Sequence, residues 1–509
     1  MNTVVVEESP VPSAAAKGTG GPRGVAALAR FEARRLLTSA PVVFSFAVYI
    51  LWTVWRTRSS WDGFPALQDA DRATQGGPLL VGLGVLLAAD FAALRDRRRG
   101  TQEWFGTLVL PAGRRTAAHL LALLPVVLLT AVCVAAQFTW EALKPGAVGH
   151  GSPAELLVGP LTVLLLGAAG VLLARLAASV WAAPLLGVLY LFFLVLGTGP
   201  SGDTGGTAWL YPVVSTSGNS PFPSDLLGRP AAWHALYLAG VALCLAFLAV
   251  LVAARGRGVS ARAGLAVALA MALTGGVAQS RGDSAELLAA RERASAAPEK
   301  EQRCVTRDGS TYCAFDEWVP RADDWAGVVG RVRSLAGDPA RDRPLLVRQR
   351  IEARYGLDSD SAIPASTRRH QVTVGTAWGG NRVPEFSAAV AGVLVAGSEA
   401  AAAELCDGRM VTVMWLAVGW EDDPMGTLRR VRLDDSVEGA AVVLAPTDPL
   451  SMTAGQTDVV RRLLEKDRDG VAAKARAHWD ELTSPGVTTA RAAELLGVPG
   501  PEKADSCEE

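Results

Sequence analysis

Residues 95–115 read RDRRRGTQEWFGTLVLPAGRR, a dense basic cluster, a glutamate and the Trp104–Phe105 ring pair set between two long apolar stretches. Which face of a membrane this segment lies on decides the fold of the whole chain. A bilayer core of roughly 30 Å takes about 20 helical residues, because in lipid the backbone must satisfy its own hydrogen bonds. Flanking the segment, 77–93 (GPLLVGLGVLLAADFAA) and 119–139 (HLLALLPVVLLTAVCVAAQFT) suit that requirement, as do 40–55, 154–174, 178–197 and 233–254. Trp52, Trp55, Trp140, Trp181 and Trp233 fall near the ends of these runs, where an amphipathic ring suits the interface. A shorter seventh run, GLAVALAMALTGGVA at 264–278, spans if Arg262 snorkels; its flanks VSARA and QS also resemble a signal-anchor or cleavable signal.

The basic residues orient the bundle. With the N-terminus cytoplasmic, one set of connections carries Arg30, Arg34 and Arg35, then Arg95, Arg97, Arg98, Arg99, Arg114 and Arg115, then Arg175, then Arg255, Arg257 and Arg262. The opposite set is mixed or acidic: Arg56, Arg58 and Arg72 are offset by Asp62, Asp69 and Asp71, and Arg229 by Asp203 and Asp225. This positive-inside bias predicts a cytoplasmic 95–115 loop and an extracytoplasmic 279–509.

Composition agrees with that division. The chain has 509 residues, a formal charge of −1 and 19% charged residues, with a mean hydropathy of +0.25, and its long apolar runs lie in the first 280 positions. Residues 1–22, with Glu7, Glu8 and several Pro and Gly, read as a disordered tail rather than a secretory signal. Cys133 and Cys244 sit in apolar runs and read as small buried hydrophobes. Cys304, Cys313, Cys406 and Cys507 lie in the polar C-terminal part, and CVTRDGSTYC can close a Cys304–Cys313 disulfide around a DGS turn in an oxidising compartment.

Within the opening segment, Gly100 can end one element and TQEWFGTLVL can form a short amphipathic helix stopped by Pro111. On its own this is either a platform offering Glu103 and Trp104 to a partner below, or a charged loop anchoring two spans. Gly100, Thr101, Glu103, Thr107, Leu108, Pro111, Arg114 and Arg115 resemble the coupling helix between spans two and three of ABC-2 (type V) transporter permease subunits. The stretch VAALARFEARRLLTSAPVV at 25–43 is similar to that family's amphipathic connecting helix, with apolar Leu28, Phe31 and Leu36 among Arg30, Arg34 and Arg35. There Glu32 can equally pair with Arg35, on a solvated face. The resemblance covers about 25–255; a seventh span and a large external domain depart from the family's six-span plan.

It implies a permease moving an apolar or amphipathic substrate, with Gly100, Thr101, Glu103, Trp104 and Phe105 coupling it to a cytoplasmic ATP-binding subunit. A second permease subunit and membrane lipids complete the expected partners. No GxxxxGK[ST] loop occurs and no lysine follows a glycine, so no cofactor is expected on this chain; ATP and magnesium belong to the partner.

Residues 281–303 read as a polar helical stalk or linker. Beyond them DEWVPRADDWAGVVGRV, HQVTVGTAW and RMVTVMWLAVGW mix strand-like and helical patterns, an α+β domain. HWDE at 478–481 is not HExxH, His370 has no supporting partners, and DSDSA at 358–362 lacks the glycine and terminal glutamate of a calcium loop. VTTARAAELLGVPG at 487–500 opens like a helix-turn-helix without a second recognition helix, so no nucleic-acid partner is expected. No catalytic or metal residue is assigned, and the chain is not expected to be an enzyme.

The expected architecture is therefore an α-helical polytopic membrane protein of six spans plus a shorter seventh, with a C-terminal α+β extracytoplasmic domain. Its parts are a tail (1–22), an interfacial helix (23–39), the bundle (40–255), the seventh span (256–279), a linker (280–303) and the domain (304–509). A bacterial cell membrane is the expected location. The rival reading is a non-transporting membrane protein that presents an external sensor, scaffold or assembly domain.

Overall fold

The computed structural model describes residues 21–59, 63–98, 110–177, 179–197, 210–212, 221–354, 363–434, 441–443 and 445–501. Helix α1 (Pro22–Leu37) starts with proline, whose fixed φ suits a first turn, and ends with Arg34 and Arg35 against its negative pole. The bundle continues with α2 (Ala40–Ser59), α3 (Leu67–Ala73), α4 (Gly76–Arg98), α5 (Ala112–Leu121), α6 (Leu124–Ala142), α7 (Pro153–Leu176), α8 (Ala182–Gly197), α9 (Ala231–Ala253) and α10 (Val259–Gln279). Six helical stretches are long and apolar enough to cross a membrane: Ala40–Thr57, Leu67–Arg95, Ala112–Ala142, Pro153–Leu176, Ala231–Ala253 and Val259–Gln279.

Two sequence expectations exchange places here. The weak seventh run is a 21-residue helix, because VSARA continues it toward the N-terminus. The very apolar fifth run forms only the 16-residue α8, about 24 Å at 1.5 Å per residue.

The central helix is α7, which packs against α4, α6 and α9. Its approach to α4 is set by Gly170, where a Cβ would lie 2.4 Å from Leu86 O. The α9–α10 hairpin is as close: a Cβ on Gly240 would meet Ala272 N at 2.4 Å, and one on Gly275 would meet Tyr237 N at 2.6 Å. Small residues let helices approach backbone to backbone where lipid supplies no hydrophobic drive. The five tryptophans assigned to span ends are all exposed on the bundle surface.

Helix α11 (Ala285–Ala296) leads into the C-terminal part. It is docked rather than free: Arg291 donates from Nε to Leu226 O at 2.9 Å and pairs with Asp283 at 2.6 Å. A four-stranded sheet follows in the order β1 (Arg303–Arg307), β2 (Ser310–Ala314), β3 (Leu346–Gln349), β4 (Gln371–Val374). The β1–β2 hairpin is antiparallel and turns at Asp308 (φ 46°) and Gly309 (φ 72°), the two left-handed positions that an Asp-Gly turn supplies. In that register Cys304 faces Cys313 directly, and the two are disulfide-bonded. Cys406 is disulfide-bonded as well, whereas Cys133 and Cys244 in the bundle are free.

The pairs β2–β3 and β3–β4 are parallel. Helix α12 (Ala322–Leu335) connects the first pair, and α13 (Arg382–Ala396) and α14 (Arg409–Val418) form a layer over a core that holds Trp318, Trp325 and Trp415. A second sheet of three antiparallel strands, β5 (Arg432–Asp434), β6 (Ala441–Val443) and β7 (Leu450–Met452), lies beyond. The strand-like RMVTVMWLAV is α14, and every residue from Met410 to Val418 is buried. Its three valines and a threonine favour a strand locally, and packing inside the core overrides that preference.

Candidate functional site at the two ends of the bundle

Polar side chains gather at both ends of the helices. At the basic end, α1 lies against α4, α5 and α6. Its buried stripe is Ala29, Glu32, Ala33 and Leu36, spaced i, i+3, i+4, i+7. The sequence placed Phe31 on the apolar face, but it is 53% exposed, because the alanines allow α1 to settle closely on its neighbours.

Glu32 is only 6% exposed and does not pair with Arg35. Its two carboxylate oxygens accept from Arg95 Nη1 at 3.0 Å and Nη2 at 3.2 Å, a two-pronged pair across 63 positions. Arg35 instead lies 5.6 Å above the Phe31 ring. Between α1, α2 and α4 opens a cavity of about 390 Å³ lined by Glu32, Arg35, Thr38, Ser39, Phe91 and Arg95, among others.

Arg30, Arg34 and Arg114 are exposed and Arg115 half-buried at the same end. Arg114 and Arg115 occupy the first turn of α5, where the helix dipole disfavours a cation by about 0.3–1 kcal/mol. A facing anionic surface would offset that cost. Arg97 and Arg98 belong to α4. Gly100, Thr101, Glu103, Trp104, Phe105 and Arg99 lie outside the described residues, as do Thr107, Leu108 and the DSDSA stretch.

The other end is covered. Residues 64–67 and 145–148 pair through Phe64 N to Pro145 O, Val148 N to Pro65 O and Leu67 N to Val148 O, at 2.8, 3.0 and 2.8 Å. Beneath them is a buried polar layer. Arg229 bridges Asp71 and Asp69, each at 3.1 Å; Ser152 N donates to Asp71 at 2.8 Å; Gln75 donates to Glu155 at 2.5 Å.

Arg321 of the C-terminal part, 1% exposed, reaches over this layer. Its Nη2 donates to Phe64 O at 2.5 Å and its Nη1 to Thr376 O at 2.8 Å, while the guanidinium lies 5.9 Å from the Phe64 ring. Burial pulls the Arg321 pKa down to about 10, against the opposing charge of Asp324. Glu317 accepts from Ser224 N at 3.1 Å and meets His150 at 3.0 Å. Val148, Phe222 and Leu226 from bundle connections belong to the same hydrophobic core as Trp318 and Trp325. The C-terminal part is thus built onto the connections it covers.

Sequence reasoning missed much of this. Asp90, near the end of the second apolar run, is wholly buried beside the close approach of Gly170, and Asp71 and Glu155 are each 1% exposed. A carboxylate in the first turn of an apolar helix, as at Glu155, was the available signal. Among the described residues no group of three His, Cys, Asp or Glu side chains is placed to hold a metal ion. No protein-family model, curated protein or solved structure matches this chain, so its function is read from its own residues.

Proposed function

We propose that this chain is the membrane-spanning permease subunit of an ATP-driven, ABC-type exporter for an apolar or amphipathic substrate. ATP hydrolysis falls to a separate cytoplasmic subunit, and a second permease chain completes the pathway. The observation that carries the reading is the Glu32–Arg95 pair. It clamps the amphipathic α1 to the end of α4, where the 95–115 segment begins, while α5 at the far end of that segment packs on α1. A push on the segment would therefore be delivered to α1, α4 and α5 together, as a lever requires.

In this reading the basic end is cytoplasmic, by the positive-inside bias, and the disulfide-bearing C-terminal domain is extracytoplasmic. Connections 63–75 and 143–152 and the stretch 221–230 lie at the domain end, while Gly113 packs near Ala254 at the other. Chain direction then requires a crossing between 182 and 230, which makes α8 the fifth of seven spans and α10 the seventh. A non-transporting protein presenting an external domain is the second reading, favoured by the covered domain end around Arg321.

The test is purification of the chain with whatever ATPase associates with it, reconstitution in vesicles, and measurement of ATP turnover and substrate movement. Glu103→Arg with Trp104→Ala should uncouple the two while leaving membrane insertion intact. Absence of any associated ATPase removes the permease reading, whereas wild-type coupling in that double variant leaves the 95–115 segment as no more than a charged anchor. Cysteine labelling of intact cells should reach single cysteines at 281–303 and not at 97–99; the reverse pattern inverts the topology.

A further inference from the structure

We infer that the cavity between α1, α2 and α4 binds the phosphodiester headgroup of an anionic glycerophospholipid from the facing leaflet. At about 390 Å³ it falls within the size of ordinary ligand pockets. Its lining combines the polar Glu32, Arg35, Arg95, Thr38 and Ser39 with the apolar Leu36, Pro41, Ala88, Phe91 and Ala92.

The charge balance favours an anion. Both oxygens of Glu32 are occupied by Arg95, which uses two of its five N–H donors there and keeps three. Arg35 adds a second guanidinium on an exposed turn. The first turn of α2, which borders the cavity through Pro41, carries no acidic residue to compete.

A lipid fits better than free phosphate because of what lies alongside. Phe44 and Leu51 on α2 are 71% and 69% exposed and, three and ten residues beyond the cavity-lining Pro41, fall on the same face of that helix. A headgroup held at Arg35 and Arg95 thus has an apolar track for its acyl chains. The inference rests on the membrane reading and is independent of transport; reconstitution into a bilayer tests the membrane reading, and lipid selectivity tests the headgroup site.

The experiment is native mass spectrometry of the delipidated full-length chain titrated with phosphatidylglycerol, phosphatidylcholine or soluble glycerol 1-phosphate. The wild type should prefer phosphatidylglycerol. Arg35→Glu changes the local charge by two units, so at about 1 kcal/mol per charge it should weaken that lipid roughly thirtyfold. Arg35→Lys should recover most of the affinity.

Ala92→Trp, which fills the cavity from its apolar lining and leaves every charge in place, should also displace the lipid. Arg30→Glu, exposed on α1 and outside the cavity, should have little effect. Unchanged phosphatidylglycerol binding in both Arg35→Glu and Ala92→Trp overturns the site. Equal loss in Arg30→Glu reduces it to diffuse surface attraction, and tight glycerol 1-phosphate binding replaces the lipid with a soluble anion.

Discussion

At the domain end of the bundle a buried arginine donates to backbone carbonyls of two different parts of the chain, and apolar side chains from bundle connections complete the domain's own core. At the basic end, among the described residues, the Glu32–Arg95 pair stands beside an open cavity, with Arg30, Arg34, Arg35 and Arg114 exposed around it. Tryptophan follows the same division: Trp318, Trp325 and Trp415 are buried in the domain, whereas Trp52, Trp55, Trp140, Trp181 and Trp233 are exposed on the bundle. A covered end resists opening at its paired polar groups, because each lost donor leaves a buried acceptor unsatisfied. At the basic end the partly buried Glu32–Arg95 pair borders an open cavity, which leaves α1 room to shift. If the helices rearrange, the rearrangement starts at the basic end.

The strongest way to break this contrast is at Arg321. Arg321→Ala leaves Phe64 O without its donor and empties a buried volume, and should destabilise the protein by about 3–4 kcal/mol. Thermal unfolding in detergent, with proteolysis reporting whether the domain detaches from residues 64–67 and 145–148, measures it; an unchanged melting temperature would mean the domain is only tethered. Next is the hairpin staple. Cys304→Ser opens a short loop and should cost about 2–3 kcal/mol, loosening the domain and leaving bundle helices protected in hydrogen exchange. Recovery of both thiols as free by non-reducing peptide mapping of native protein would remove the staple altogether.

At the other end Glu32→Gln trades a charge-assisted pair for a neutral one, at about 1–2 kcal/mol. Its signature is local: faster exchange across 22–37 with the domain unaffected. If exchange rises instead throughout the domain, the two ends are coupled more tightly than their construction implies.

The smallest effect concerns acid. Hydrogen bonds from Arg354 hold the Glu352 carboxyl below its usual value against the opposing effect of burial. Its contribution is present above the unfolded pKa near 4.5 and is lost as pH falls through the lower folded value. Glu352→Gln should therefore flatten the loss of domain stability between pH 6 and pH 3 in urea unfolding; an acid limb as steep as wild type would assign it to other carboxylates.

What was legible in the sequence followed from local chemistry. Long apolar runs announced the bundle, and Asp308-Gly309 between two cysteines announced the hairpin, since turn type and register place Cys304 opposite Cys313. Less legible were features that depend on what lies across the fold. Glu32 could pair with any arginine within reach, and only the packing of α1 on α4 chose Arg95 over Arg35. Likewise the β-branched Val411, Thr412, Val413 and Val418 gave α14 a strand-like local reading that its burial in the core overrode.

By itself, then, the sequence determined which stretches are apolar enough to cross a bilayer, which connections are basic, and where one disulfide closes, because each depends on composition or on neighbours a few residues away. Tertiary structure alone decided that 281–303 docks instead of dangling, that Asp71, Asp90 and Glu155 are buried, and that Arg321 ties the domain to the bundle. Those outcomes depend on burial and on partners far away in the chain. A charged side chain's partner is set by the few ångströms around it after folding, and no local pattern carries that information.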